Sequence, residues 1–418
     1  MKPYRSRGRA SFLYSLLLIV VLVNLPLAFS RHRPAAGKTA ALPSDARSTA
    51  LGRSGLDHFY NMEYDKAIHD FELDVQQHPD DPFAASRLLS GVLFKELYRI
   101  GALDTEIYAS DSFLSSRRFP VDPKVRQRIQ ELTDNAQAVA ERRLQANPAD
   151  PDALYARGAI RASRATTTGL LDRSWFSALR SAIGARRDHE RVLQLDPNYA
   201  DAKLVVGIDN YVLGSLPLGV KVAASVVGIS GSKQKGIRYL YDAAEGGGEA
   251  SVDAKIALSL FLRREQRYPE AIKLVGQLVS SYPRNFLFAL EYANLLAAAG
   301  HGPESIAAYR KLLANGREGV YQEPRLDQAA MALGEALRGQ NDFQGAVQAF
   351  ESVPGFARAE PEVVDRANLA AGQMYDLLQR RDLAIRKYQQ VISAAGDSPR
   401  ATQARKYLKQ AYQVPKPG

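Results

Sequence analysis

Cysteine is absent from the 418 residues, tryptophan occurs once and methionine four times. The missing thiols exclude disulfides, thiolate metal sites, cysteine nucleophiles and a lipid-carrying cysteine, so packing alone has to hold the fold. The six histidines, His32, His58, His69, His78, His189 and His301, form no HExxH or paired ligand spacing, and no metal is expected. GxSxG, GxGxxG and the phosphate-loop spacing are also lacking, and no cofactor or catalytic residue is assigned. Ser230-Gly-Ser-Lys233 fits the Ser-x-x-Lys pair of penicillin-recognising enzymes, but the companion Ser-Asp-Asn and Lys-Thr-Gly are missing.

Charge of one sign is scarce as well. The formal net charge is +10, but Lys2, Arg5, Arg7 and Arg9 precede an apolar segment, and without them 51 basic residues face 45 acidic ones. Acids are interspersed throughout and no basic run is interleaved with aromatics, so nucleic acid is not an expected partner.

One long hydrophobic run is present, Phe12 to Val23, followed by Pro26 and the small-residue end Ala28-Phe-Ser30. A basic region, an apolar region and a small-residue end in that order describe residues 1–30 as a secretory signal cut after Ser30. Phe12 to Phe29 also reaches the lower limit for an uncleaved membrane anchor, and Arg31-His-Arg33 just beyond the cut favours retention. Under either alternative the bulk of the chain is expected on the periplasmic side of the cytoplasmic membrane. Residues 31–50, rich in Ala, Pro, Ser and Gly without an apolar period, are expected to be a flexible tether.

From residue 51 to 412 the chain repeats a spacing. Gly55 is followed after twelve residues by Ala67, then by Phe71 four later and by Pro79; Gly334, Ala346 and Phe350 return the pattern, as do Gly372, Ala384 and Tyr388. A weaker copy holds Ser259, Ala271, Val275 and Pro283, and another holds Ala293, Ser305 and Tyr309. Pro148 and Pro197 mark the ends of two further units, with Ala136 and Ala185 twelve residues before them. Small residues at this separation let two antiparallel helices approach across a turn, an aromatic one turn later fills the groove beside the contact, and the proline stops the second helix.

This spacing resembles that of tetratricopeptide repeats, most fully over residues 55–82, 334–353 and 372–391. The resemblance implies an all-α, right-handed α-solenoid of about eight helical hairpins over 51–412, the last helix at 400–412 acting as a polar cap before the tail 413–418. It also implies a non-enzymatic protein-binding scaffold whose concave groove, lined by first helices, takes a partner segment. Carried over by repeat position, the groove candidates are Asn210, Tyr211, Arg263, Asn294, Glu335, Arg338, Gln373 and Asp376. The Lys/Asn set with which some members clamp a carboxylate is missing, since Gly52 and Leu56 hold those positions.

Units two to four are stretched. In unit three Gly158 and Ala185 lie 27 apart instead of twelve, and in unit four Gly207 and Gly236 flank an apolar stretch, Leu218 to Ile229, followed by a Gly-Ser-Gly hinge. Twelve apolar residues are too few to cross a bilayer. Residues 213–231 are expected either to be core or to engage lipid or an apolar client, as in a membrane-associated assembly factor or carrier. Trp175 and Phe176 are expected in the core. Gly246-Gly-Gly248 is expected as the turn before unit five.

Overall fold

A computed structural model describes residues 49–103, 121–216, 221 and 230–414. The N-terminal segment 1–30, most of the tether, most of the unit-two and unit-four insertions and the last four residues lie outside the described residues.

Seventeen α-helices and no strand occur among the described residues. They run α1 (Ala50–Tyr60), α2 (Tyr64–Gln77), α3 (Pro82–Arg99), α4 (Pro123–Ala146), α5 (Pro151–Thr166), α6 (Trp175–Leu195), α7 (Lys203–Ser215), α8 (Lys233–Glu245) and α9 (Ser251–Arg264). After these come α10 (Tyr268–Ser281), α11 (Phe286–Ala298), α12 (Gly302–Arg317), α13 (Leu326–Gly339), α14 (Phe343–Ser352), α15 (Pro361–Leu377), α16 (Arg381–Ala395) and α17 (Pro399–Lys409). Paired in order, α1 to α8 make four hairpins and α11 to α16 make three, with α9 and α10 at the division between them and α17 closing the array, an all-α helical repeat array. Two compact units divide it, one ending at Phe261 and one beginning at Leu262. Within each, contacts run mainly from a helix to its successor.

The boundaries follow local chemistry. α3, α4 and α5 each begin with Asp-Pro: the carboxylates of Asp81, Asp122 and Asp150 accept from the free amides of the first turn, and the proline sits where no amide partner exists. At the other end, the C-caps His78, Asn147, Asp196 and Tyr282 stand directly before Pro79, Pro148, Pro197 and Pro283. Asn147 and Asp196 have extended backbone, and His78 and Tyr282, at ψ 64° and 69°, are likewise outside the helical region that a following proline disfavours.

Inside the hairpins one turn recurs. Met62, Gln266, Gly300, Asn341 and Gln379, each seven residues after the small residue of its first helix, have φ of 62°, 59°, 81°, 60° and 59°. The next amide reaches back to the fifth carbonyl before it, as Glu63 to His58 and Arg380 to Tyr375, which closes a Schellman turn. Only one of the five is the glycine this left-handed conformation favours.

The repeat glycines turn out to be seats for the aromatic rings themselves. A Cβ on Gly55 would stand 2.4 Å from the Phe71 ring, one on Gly334 2.3 Å from Phe350, and one on Gly372 2.5 Å from Tyr388. In hairpin three the same seat, Gly158, takes the His189 ring, and in hairpin four Gly207 and Gly236 bring two backbones together beside Leu240. His189 is buried there and its Nδ1 lies 2.7 Å from the Ala185 carbonyl. Burial lowers its pKa, which keeps the imidazole neutral.

The unit-three insertion does not leave the hairpin. α5 runs on through a π-turn, Thr167–Leu171, whose threonine hydroxyls bond back to carbonyls one turn earlier, and α6 starts at Trp175. The inserted residues thus lengthen both helices. Phe176, expected in the core, is 89% exposed in the first turn of the lengthened α6, and the side chain of Trp175 lies outside what is described. In unit four, Gly214 and Gly231 meet at the base of the insertion, where a Cβ on Gly231 would approach Leu213 and the Gly214 amide.

If the glycine seats set the hairpin spacing, Gly372→Ala should lower unfolding stability by about 1–3 kcal/mol through overpacking. Gly339→Ala, exposed and with open space around it, should be neutral or stabilising by up to about 0.5 kcal/mol. Thermal and urea unfolding of the two variants checks this.

Candidate functional site

First helices carry the site in the N-terminal unit. α1, α3 and α5 line a cleft of about 120 Å³, and the start of α9 closes it. Its walls are aromatic: Phe59, Tyr60, Phe83, Phe94 and Tyr155 all face it. Phe59 packs edge-on against Phe94 at 5.3 Å, and Phe83 stacks on Tyr155 at 5.8 Å, so rings from three successive hairpins brace one another.

Arg87 of α3 forms the floor. Its Nη1 donates to Asp74 Oδ2 at 3.2 Å, while Nε and Nη2 both donate to the Glu249 carboxylate, 162 residues away in sequence. Asp74 is fully buried on α2 and also accepts from the Thr49 hydroxyl, at 2.7 Å, that caps α1. Burial by itself would lower the Arg87 pKa, but the charge and hydrogen bonds of Glu249 outweigh it and hold the guanidinium above its usual value. Removing one partner of such a pair leaves an uncompensated buried charge, at a cost of about 3–5 kcal/mol.

Glu249 reaches Arg87 because of the glycines before it. Gly246-Gly-Gly248 turns from α8 into α9; Gly247 takes φ 68°, and a Cβ on Gly248 would overlap the Asp201 carboxylate. That carboxylate accepts from the Ala250 amide at 3.2 Å, which pins the turn to the start of α7. One helical turn on, Asp253 faces the cleft beside Tyr60. Burial pushes its carboxyl up to about 6 and the nearby Asp201 charge adds to this, against the hydrogen bond from Tyr60.

The eight residues predicted from repeat position lie on five helices. Asn210 is buried and donates to the Val206 carbonyl, and Tyr211 is buried with its ring stacked on Phe261 at 3.9 Å and the Lys233 ammonium 5.7 Å from its centroid. Arg263 donates to both oxygens of Glu291, and Asn294 accepts from the Tyr309 hydroxyl at 2.6 Å. Glu335 pairs with Arg338 on the same helix, and burial raises the Glu335 pKa. Gln373 is half-buried. Asp376 accepts from Arg381, the Tyr388 hydroxyl and the Tyr412 amide, holding the closing helix and the following chain in place. Their polar bonds are therefore largely internal to the repeats.

The cleft residues Tyr60, Arg87, Phe94, Tyr155, Glu249 and Asp253 were not among those eight. Arg87, Ser90 and Phe94 do recur at helical spacing on one face of α3, but nothing local connects them to Glu249. Lys233, of the Ser-x-x-Lys match, sits against Tyr211, and His189 sits beneath Gly158 in a separate hairpin. Among the described residues no cluster of three metal-ligating side chains occurs, and no helix is long and apolar enough to cross a membrane.

Successive helical hairpins, four of them with a small–small–aromatic register and the others with variants of it, decide the architecture. It is a tetratricopeptide-like repeat array. No protein-family model matches the sequence and no curated protein matches it. Similar solved structures include the APC/C hetero-tetramer Cut9–Hcn1, 11% identical with a TM-score of 0.46, covering 98% of this chain and 64% of that one. They also include the human IFIT1 dimer with m7Gppp-AAAA, 11% identical with a TM-score of 0.40, covering 98% and 86%. A third is a tetratricopeptide repeat protein from Parabacteroides merdae, 12% identical with a TM-score of 0.31, covering 80% and 97%. At TM-scores below 0.5 none of these carries weight for the fold or the site, which rest on the hairpin geometry above.

The Asp253 shift has a thermodynamic consequence. The folded carboxyl titrates near 6 and the unfolded one near 3.8, so the folded state binds the proton more tightly and loses stability from this group as pH rises between those values. Asp253→Asn should therefore be more stable than the parent by about 1–3 kcal/mol above pH 6, with the difference shrinking as pH falls toward 4. Urea unfolding across that range measures it.

Proposed function

We propose that this protein is a non-enzymatic scaffold on the far side of the cytoplasmic membrane, exported or anchored through residues 1–30, that holds a segment of a partner protein. The observation that carries the reading is the cleft: first helices of three hairpins converge on it, and a fourth element closes it with a long-range ion pair. Its rings and charged floor suit side-chain capture. The partner is a protein, with no role for nucleic acid, metal or cofactor, and the resemblance read from the sequence supports the same mode of binding.

A second reading has residues 213–231 engaging lipid or an apolar client. What supports it is the apolar run Leu218 to Ile229; the contact of Gly214 with Gly231 brings the two ends of the insertion together, so residues 216–230 can be removed without separating α7 from α8.

Crosslinking in native membranes with mass spectrometry separates the two, using the full chain and a variant lacking residues 216–230. The scaffold reading predicts protein crosslinks on α1, α3, α5 and the start of α9 in both forms, with an N-terminus at Arg31 or an intact Met1 segment. Lipid-only contacts that vanish with the deletion would replace it by the second reading.

A further inference from the structure

The cleft has a surplus of negative charge. Among the described lining residues Arg87 is the one cation, and all three guanidinium nitrogens already donate to Asp74 or Glu249. Facing it are two carboxylates on the chain that enters α9, Glu249 and Asp253, with Asp74 buried behind Arg87 and Asp201 behind the turn. An anionic guest would meet these acids without finding a free donor fork. An apolar guest would leave the buried Asp253 carboxyl without a counter-charge. A cation is attracted by the carboxylates, and the rings of Phe59, Phe94 and Tyr155 line the space around it. The volume also sets a scale: about 120 Å³ compares with the roughly 150 Å³ of a cavity that admits benzene, which is room for one side chain.

Building on the scaffold reading, we propose that the cleft is the seat of one basic side chain, a lysine or arginine projecting from the partner segment, with Asp253 as its counter-charge and the aromatic walls around its stem. Arg87 and Glu249 then act on the shape of the seat, since their charges are spent on each other and on Asp74.

The test is fluorescence anisotropy of the full chain with labelled short peptides that differ only in a central Arg, Lys, Gln or Glu, run on the parent and on Asp253→Asn, with circular dichroism to confirm that the variant folds. The Arg and Lys peptides should bind about tenfold tighter than the Gln peptide, in line with a desolvated cation held by a carboxylate and rings. Asp253→Asn should remove most of that preference. Lowering the pH through 6 should weaken Arg and Lys binding to the parent but not to Asp253→Asn, because the proton neutralises Asp253 among its neighbours Tyr60, Glu249, Arg87 and Asp201. Gln or Glu peptides binding as tightly as Arg, unaffected by Asp253→Asn, would overturn the cationic guest and leave the scaffold reading standing. Binding of no peptide at all, with crosslinked partners mapping away from these helices, would remove the cleft itself.

Discussion

The Arg87–Glu249 ion pair is the constraint on which the site depends. A stack of helical hairpins needs only contacts between neighbours, and most of this chain is built that way. Arg87 breaks the rule by reaching from the second hairpin to the turn before the fifth, and the Tyr60 hydroxyl lies 3.5 Å from the Glu249 carbonyl along the same seam. Hydrophobic contact would join these elements without fixing their register. A buried guanidinium whose three nitrogens donate to two carboxylates fixes the approach, because a shift of one ångström leaves charges unsatisfied in a poorly solvated place. The space between α1, α3 and α5 becomes a bounded cleft.

The same seam explains why Asp253 is costly to keep. Closing α9 over α1 takes its carboxyl away from water and sets it near Asp201, so the ionised form is disfavoured in the empty protein. Asn at this position would avoid that penalty. A destabilised group facing a cleft is a frequent mark of function, and here the compensation would come from a bound cation.

Much of the fold was legible in the sequence because its signals are local. The Gly55–Ala67–Phe71 spacing and its copies place both helices and the turn between them, and Pro79, Pro148, Pro197 and Pro283 stand just past helix ends. The aromatic position was visible too, though its partner was less so: Gly158 and His189 complete the pattern only once fifteen inserted residues are seen as two longer helices. The exposure of Phe176 was hidden for the same reason. The cleft was not legible, because Arg87 and Glu249 are brought together only by the way two intervening hairpins stack, and no periodicity records that. Carrying groove positions over by repeat number treats all repeats alike, whereas here Tyr211 is consumed by Phe261 and Asp376 by the closing helix.

Closure of the N-terminal unit can be measured directly, since a chain without cysteine accepts two introduced cysteines as its only spin-label sites. Labels at exposed Ser54 on α1 and exposed Glu245 at the end of α8 report across the seam by pulsed electron paramagnetic resonance. The account predicts one narrow distance distribution in the parent, broadened and shifted outward by Arg87→Gln. A broad distribution in the parent, unchanged by Arg87→Gln, would contradict it and leave an open array with no bounded cleft.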